Sequence, residues 1–270
     1  IQKIQSHLDN APRGSKLKDK VCIITSVGSL KGIGQEVIPA TVQQADAADE
    51  DAVKGICERA MKEEGRLGVF FTNAGFASKQ PLHDTSKELF METMRVNTLS
   101  CFLAIKHTSI AMLKPNPAAG KEHSSGSIIL TASVSSLRSG GGTIDYSTSK
   151  AAVNSMAKTS AYQLQKCDIR VNSICPSLVE TAMTAYLFKY GHQRGLAGKL
   201  GQLIPLGCFG APECVLQHPF PPADTHPNAT EIAQAGLFIA LDNSSYVNGQ
   251  KFAVDGGVSS SHPVVPGRPI

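Results

Sequence analysis

The sequence predicts an α/β protein in which a doubly wound parallel sheet forms a single domain over residues 1–270. Short apolar runs typical of buried strands alternate with longer amphipathic stretches from Val21 to Val254. Several of these runs end in glycine, asparagine, serine or threonine, which are turn-forming residues. The length is sufficient for one large core, and no internal repeat divides it.

Composition excludes several classes of function. Hydrophobic residues make up 41% and charged residues 18% of the chain, as in an ordinary globular protein. The net charge of +4 is spread along the chain, so we expect no nucleic-acid partner. No apolar run approaches the roughly 20 residues of a membrane span, so we expect no membrane partner. Residues 1–20 are polar and basic and read as an N-terminal extension.

The cysteines indicate a reducing compartment. There are seven, an odd number, and no two have the C-x-x-C spacing. Several lie inside apolar runs, where a thiol acts as a small hydrophobic group. We therefore expect a cytoplasmic protein without disulfides, and no metal site.

The first apolar run, Val21 to Thr25, leads directly into a glycine-rich turn that ends at Gly34. A buried strand that enters such a turn is typical of a Rossmann-type dinucleotide site, where backbone N–H groups and a helix N-terminus meet the pyrophosphate. The spacing is G-x-x-x-G-x-G, and no G-K-[ST] of a P-loop follows. The alternative is a simple surface turn.

The next elements of a nucleotide-binding fold are not visible in the sequence. A strand–helix–strand unit takes about 30 or more residues, yet a second β-like run begins almost at once after Gly34, and Pro39 excludes a long helix. We therefore expect that residues are missing from the sequence between Glu36 and Val37. A measured mass of 28.5 kDa would refute this and would indicate a truly shortened sheet.

The regular alternation then resumes. Asp49 to Glu64 has the apolar spacing of an amphipathic helix. Leu67 to Phe71 is a buried strand that ends in Thr72-Asn73-Ala74-Gly75, either a place of close approach to a ligand or only a turn. Ser86 to Leu113 reads as one long helix. Asn97 lies on or near its buried side, where the amide forms a helix-to-strand hydrogen bond or supports an active-site water.

The stretch from Ser133 to Lys150 contains most of the candidate catalytic residues. The strand Gly126 to Thr131 precedes it, and the helix Ala151 to Gln165 follows it. Tyr146 and Lys150 are four residues apart and would share one face of that helix. An ammonium beside a phenol favours the phenolate and so makes a proton donor and acceptor for neutral pH. A chance pair is the alternative.

The remaining chain completes the sheet. Asp168 to Cys175 is a strand closed by Pro176 to Thr181, and Lys251 to Val254 is the last strand. Thr230 to Leu241 reads as a helix. Residues 182–228 form a long irregular segment of the kind that makes a lid or substrate wall.

These motifs together resemble the short-chain dehydrogenase/reductase family from Val21 to Gly257. The matching pieces follow one another in the family order and each lies at a predicted strand end or helix. They are Thr25 to Gly34, Asp46, Asn73-Ala74-Gly75, Asn97, Ser133, Tyr146-x-x-x-Lys150, and Pro176 with Thr181.

The resemblance implies four catalytic residues. Tyr146 would be the general acid for carbonyl reduction and the base for alcohol oxidation. Lys150 would assist Tyr146 and hold the nicotinamide ribose. Ser133 would orient the substrate carbonyl, and Asn97 would hold a water in a proton relay.

The resemblance also implies a nicotinamide dinucleotide cofactor. The implied binding residues are Thr25, Ser26, Gly28, Lys31, Gly32, Ile33 and Gly34 at the pyrophosphate, Asp46 at the adenine, Asn73, Ala74 and Gly75 at the adenosine, Tyr146 and Lys150 at the ribose, and Pro176, Ser177, Val179 and Thr181 near the carboxamide. Lys31 favours NADP(H) over NAD(H), since a basic residue there often contacts the 2′-phosphate in this family. The chain departs from the family in having Ser26 and Ser177 where glycine is common.

The function implied is an NAD(P)(H)-dependent oxidoreductase that interconverts a ketone and a secondary alcohol, acting as a homo-oligomer, either a tetramer or a dimer. An epimerase or dehydratase on the same scaffold is an alternative. A nucleotide-binding protein without turnover is another, although the complete set Asn97, Ser133, Tyr146 and Lys150 speaks against it.

Overall fold

The computed structural model describes residues 17, 20–26, 43–179, 181, 183–195, 204–206 and 230–260. The strands are β1 (Cys22–Ile24), β2 (Val69–Thr72), β3 (Gly126–Thr131), β4 (Ile169–Pro176) and β5 (Lys251–Val254). The helices are α1 (Glu50–Glu63), α2 (Lys87–Met94), α3 (Ser100–Met112), α4 (Ile144–Gln163), α5 (Ala185–Gln193) and α6 (Thr230–Ala240).

The five strands form one sheet in the spatial order β1-β2-β3-β4-β5, and every neighbouring pair is parallel. The register pairs Ile24 with Phe71 and Thr131 with Ile174. Because all strands run the same way, their carboxyl ends lie along one edge of the sheet. The predicted α/β fold with a parallel sheet in a single domain is confirmed.

Helices cover both faces of the sheet. Phe70 of β2 and Ile128 of β3 belong to a core that also holds buried residues of α1, α3 and α4. The adjacent residues Phe71 and Ile129 point the other way, into a core shared with α6. This alternation follows from the two-residue period of a strand and explains why the central residues of β2 and β3 are apolar on both faces of the sheet.

The sheet edge at β1 is the place where a strand formed by residues missing between Glu36 and Val37 would be expected to pair. Within the described ranges, β1 pairs with β2 and has no strand on its other side. The glycine-rich turn and residues 27–42 lie outside the described residues. A gap between Glu36 and Val37 therefore stays a prediction.

The helix predicted from Ser86 to Leu113 is wrong in one detail. The structure has α2, then a π-helical turn at Arg95–Leu99, then α3. Ser86 is the N-cap, and its side chain accepts a hydrogen bond from the backbone N–H of Leu89. A π-helical turn widens the helix by one residue, and such turns are frequent at functional sites. Here it surrounds Asn97, which is fully buried.

The segment predicted to be irregular, residues 182–228, contains the helix α5 in its described part. Phe188 anchors α5 and is almost completely buried. Among the described residues no helix is long and apolar enough to cross a membrane. The five described cysteines are all free.

Candidate active site

The carboxyl ends of three strands are tied together by side chains. The Thr25 hydroxyl, just after β1, accepts hydrogen bonds from the backbone N–H groups of Asn73 at 2.9 Å and Ala74 at 3.0 Å. The Thr131 hydroxyl at the end of β3 donates to the Asn73 side-chain oxygen at 3.4 Å. Residues from two of the predicted cofactor motifs therefore meet at the edge of the sheet.

Ser26 begins the glycine-rich turn with a strained backbone. Its φ is +62°, in the left-handed region that non-glycine residues rarely adopt. A glycine would occupy that region without a Cβ penalty. The other predicted residues of the turn, Gly28, Lys31, Gly32, Ile33 and Gly34, lie outside the described residues.

We expect Ser26→Gly to stabilise the protein. Relief of the left-handed strain is worth about 1–2 kcal/mol per residue, and the added flexibility of the unfolded chain offsets part of this. Chemical denaturation should show a higher free energy of unfolding. Ser26→Ala, which removes the hydroxyl and keeps the Cβ, should not stabilise. An equal gain in both variants would contradict the assignment of strain to the backbone.

Lys150 is a buried cation, with 2% of its surface exposed. Its ammonium donates a hydrogen bond to the backbone oxygen of Thr131 at 2.7 Å. An ammonium has three donors, and within the described part of the chain this is its one hydrogen bond, with no carboxylate in ion-pair range. Two donors therefore remain for a ligand.

Gly75 lies directly in front of that ammonium. A Cβ at Gly75 would lie 3.4 Å from the Lys150 ammonium nitrogen and 3.4 Å from the Asn97 side-chain oxygen. The terminal methyl group of Met183, ahead of α5, would lie 3.9 Å away. The glycine thus brings the backbone that follows β2 close to Lys150, Asn97 and Met183.

Tyr146 lies in the first turn of α4 and is half-buried. The Lys150 ammonium lies 5.8 Å from the centre of the Tyr146 ring, so the two residues share one face of the helix, as their spacing predicts. The Tyr146 hydroxyl makes no hydrogen bond to any described residue. It is therefore free to exchange a proton with a ligand.

Ser133 lies two residues beyond β3 and caps a 3₁₀ turn formed by Val134–Ser136. Its hydroxyl oxygen accepts a hydrogen bond from the backbone N–H of Ser135 at 3.2 Å. A hydroxyl also has one proton to donate, and among the described residues that proton has no acceptor. Ser133 can therefore donate to an oxygen of a bound ligand.

Asn97 is satisfied entirely by protein groups. Its side-chain oxygen accepts from the backbone N–H of Phe76 at 2.7 Å, and its amide nitrogen donates to the Phe76 backbone oxygen at 2.8 Å and to the Ser149 hydroxyl at 2.9 Å. Ser149 in turn donates to the Tyr146 backbone oxygen at 2.7 Å. The amide therefore links the helix to the chain that follows β2 and to α4.

The glycine run before α4 allows Tyr146 to pack closely. A Cβ at Gly142 would lie 2.8 Å from a ring carbon of Tyr146, and one at Gly141 would lie 2.9 Å from the Cα of Ser135. Real Cβ atoms do not approach this closely, so a side chain at either position would displace its neighbour.

We expect Gly142→Ala to reduce kcat by about 10- to 100-fold, because a displacement of about 1 Å at a catalytic group can cost that much. The matched control is Gly55→Ala in α1, where a Cβ would meet nothing within 4 Å. The control should keep full activity and gain up to about 1 kcal/mol of stability. Equal activity in both variants would contradict the packing argument.

Asp46 is exposed and already has partners. One carboxylate oxygen accepts from the backbone N–H of Ala48 at 2.8 Å, and the other pairs with the Arg95 guanidinium at 2.8 Å. The Ala48 N–H, followed by the Arg95 side chain, holds the pKa of Asp46 below its usual value. A carboxylate so held is fixed in place beside the π-helical turn.

The chain beyond β4 is held by Thr184. Its hydroxyl donates to the backbone oxygen of Val179 at 2.6 Å and accepts from the backbone N–H of Thr181 at 2.9 Å. The Ser177 backbone N–H donates to the Val254 oxygen at 3.3 Å, and Pro176 pairs with Val254 across the sheet. The predicted residues Pro176, Ser177, Val179 and Thr181 therefore follow the same carboxyl edge as the other motifs.

Sequence reasoning missed two features of the site. The backbone oxygen of Thr131 is the partner of Lys150, and the residue before Tyr146, Asp145, is a fully buried carboxylate. The one sequence signal for the buried carboxylate of Asp145 was the presence of an acidic residue in a glycine-rich stretch that is otherwise uncharged. No group of three or more potential metal ligands occurs among the described residues.

The sequence matches proteins of known function over most of its length. Residues 27–218 match a family model described as enoyl-(acyl carrier protein) reductase. The chain is 30% identical to the 3-oxoacyl-[acyl-carrier-protein] reductase FabG of Thermotoga maritima, in a match that covers 90% of this chain and 99% of the relative.

Two further proteins extend the comparison. The (+)-cis,cis-nepetalactol synthase NEPS3 of Nepeta racemosa is 29% identical over 90% of this chain and 93% of its own. The ligand-free aldohexose dehydrogenase of Thermoplasma acidophilum superposes with a TM-score of 0.74 at 21% identity, covering 92% of this chain and 98% of the other. At that identity the structural likeness concerns the fold alone.

Proposed function

Because the chain belongs to the short-chain dehydrogenase/reductase family, we propose that it is an NAD(P)(H)-dependent oxidoreductase that interconverts a ketone and a secondary alcohol. Lys150 is the observation that carries the proposal. Among the described residues, this buried ammonium has a single hydrogen bond and no counter-charge, an arrangement that costs stability. Such a group beside a phenol is typical of a functional site.

The residues at the sheet edge fit a nicotinamide dinucleotide. Gly75 leaves the backbone beside Lys150 without a side chain, so that a ligand can approach it closely, and the two unused donors of Lys150 suit the hydroxyl groups of a ribose. Thr25, Asn73 and Ala74 fix the strand ends on which the nucleotide would lie. When bound, the nicotinamide supplies or accepts a hydride.

The side chains of this protein then position the substrate oxygen and exchange a proton with it. Ser133 donates its free O–H to the substrate oxygen and fixes its position. Tyr146 gives its proton to that oxygen during reduction and takes it back during oxidation. The Lys150 ammonium stabilises the phenolate that remains after the transfer. Asn97 supports this arrangement by joining Phe76 to Ser149, and we propose that it also contributes to a water-mediated proton relay.

The proposal is tested with a panel of ketones and secondary alcohols, followed by nicotinamide absorbance with both cofactors. We expect oxidation of the reduced cofactor with at least one ketone, and the reverse reaction with the corresponding alcohol. Binding of the cofactor without turnover of any member of the panel would contradict the proposed reaction.

For the cofactor we propose a preference for NADP(H). The support is Lys31 in the glycine-rich turn, a position outside the described residues. The ratio of kcat/KM with NADPH to that with NADH measures the preference. A strong preference for NADH would reject Lys31 as a contact of the 2′-phosphate.

The second candidate is another reaction on the same scaffold, such as an epimerisation or dehydration. The similarity to a protein named as a nepetalactol synthase, rather than as a dehydrogenase, supports this second candidate. Net consumption of the cofactor separates the two, since an oxidoreductase consumes one cofactor per product and an epimerase that recycles its cofactor consumes none.

We also propose a homo-oligomer. Leu99, Phe102, Ile110 and Leu113 project from one side of the helix formed by the π-helical turn and α3, and each is 39–50% exposed. Such an apolar stripe suits burial against a second copy of the chain. A molecular mass of a single chain, measured in solution by light scattering, would contradict this.

The five described cysteines are free, which supports a reducing compartment, and we propose the cytoplasm.

A further inference from the structure

Asp145 is a carboxylate without access to solvent. It lies in the first turn of α4, directly before Tyr146, and has 0% of its surface exposed. The ion pairs within the described part of the chain do not include it. A buried charge without a counter-ion is expensive unless hydrogen bonds satisfy it.

Hydrogen bonds from two other segments surround this carboxylate. One oxygen accepts from the Ser78 hydroxyl at 2.8 Å, and the other accepts from the Thr93 hydroxyl at 2.6 Å. The Thr143 hydroxyl lies 2.9 Å from the Ser78 hydroxyl and donates to it, since the Ser78 proton goes to Asp145. Burial raises the pKa of Asp145, but hydrogen bonding outweighs it and holds the pKa below its usual value. The positive end of the α4 dipole adds to this.

The donors come from separate parts of the site. Ser78 lies in the chain that follows β2, a few residues after the Asn73-Ala74-Gly75 turn, and Thr93 lies in α2, just before the π-helical turn. Next to Ser78, the Lys79 ammonium stacks on the Tyr186 ring of α5 at 3.9 Å from its centre. Asp145 thus connects the first turn of α4 to the chain that follows β2 and to α2.

We propose that Asp145 is a positioning residue for Tyr146. Its carboxylate fixes the first turn of α4 against the chain after β2, so that the phenol and the Asn73-Ala74-Gly75 turn keep one relative position. The inference rests on the proposed function in so far as Tyr146 is the proton donor. It goes beyond that function because it assigns the alignment of the phenol to a residue that touches neither substrate nor cofactor.

The test compares Asp145→Asn with the wild type. The variant should fold, because the Thr93 hydroxyl also lies 3.0 Å from the Leu89 backbone oxygen and can turn its one proton to that oxygen while it accepts from the amide. We expect kcat to fall by about 10- to 100-fold, with KM and the cofactor Kd nearly unchanged. The ketone that the wild type reduces best in the panel serves as substrate.

A second arm needs no substrate. Hydrogen exchange should become faster in residues 144–148 and also in residues 76–79, because one carboxylate holds both segments. The stability control is Val153→Ala, a buried core position farther along α4. It should lower the free energy of unfolding without lowering kcat and without faster exchange in residues 76–79.

Ser78→Ala keeps the inference testable if Asp145→Asn does not fold, since it removes one donor and leaves the carboxylate. It should reduce kcat by a smaller factor and speed exchange in residues 144–148. Wild-type kcat together with wild-type exchange in both segments would overturn the inference. If no panel member is turned over by the wild type, the proposed function fails, and the exchange experiment still decides whether Asp145 couples the two segments.

Discussion

Tyr146→Phe is expected to lower kcat by about 100- to 10,000-fold, the usual contribution of a positioned general acid or base. The substitution removes only the hydroxyl, and that hydroxyl has no hydrogen bond to any described residue. Its loss should therefore cost no folding stability, and the cofactor Kd should stay close to the wild-type value. Steady-state kinetics, fluorescence titration of the cofactor and thermal unfolding measure the three quantities.

Tyr162→Phe is the matched control for this prediction. Tyr162 lies near the other end of α4 and is 74% exposed, so the same loss of a hydroxyl should leave kcat unchanged. Wild-type turnover in Tyr146→Phe would show that the phenol takes no part in the proton transfer. A large loss of cofactor affinity in that variant would instead assign the hydroxyl a binding role.

Lys150→Met should separate function from stability. Methionine fills a similar volume without the charge, so the cost of burying an unpaired ammonium disappears, while the Thr131 oxygen loses its partner at a cost of about 1–3 kcal/mol. We expect the free energy of unfolding to change little. Cofactor affinity should fall, and kcat should fall by about 100-fold or more, because the phenolate loses its stabilising charge.

The control is Lys158→Met on the same helix, where the side chain is exposed. It should retain the wild-type kcat and cofactor Kd. A strongly destabilised Lys150→Met variant with full affinity for the cofactor would mean that the ammonium has a structural role only, and would contradict the account of the site.

The sheet was predictable from the sequence because each strand contains a short run of apolar residues that alternates with longer helical stretches. Gly126–Thr131 and Lys251–Val254 have the predicted bounds, and a parallel sheet with helices on both faces follows from the alternation of strands and helices. The proximity of Tyr146 and Lys150 follows from their spacing on one helix. Local periodicity is sufficient for both results.

Other features depend on contacts between distant segments, which periodicity does not report. Asn97, in the π-helical turn, is held by hydrogen bonds to Phe76 and Ser149, 21 and 52 residues away. The bond from Lys150 to the Thr131 oxygen needs the folded sheet. The helix α5 was missed because it has only nine residues and lies in a stretch interrupted by glycine and proline, and Phe188 is buried only once α5 packs on its neighbours.

Isotope transfer tests the central claim most directly. The wild type is incubated with the best ketone of the panel and with reduced cofactor in which both hydrogens at the nicotinamide carbon that donates the hydride are replaced by deuterium. We expect an alcohol with one deuterium at the carbinol carbon, formed by the wild type and nearly absent with Tyr146→Phe. An alcohol without deuterium, or equal formation by both proteins, would contradict it.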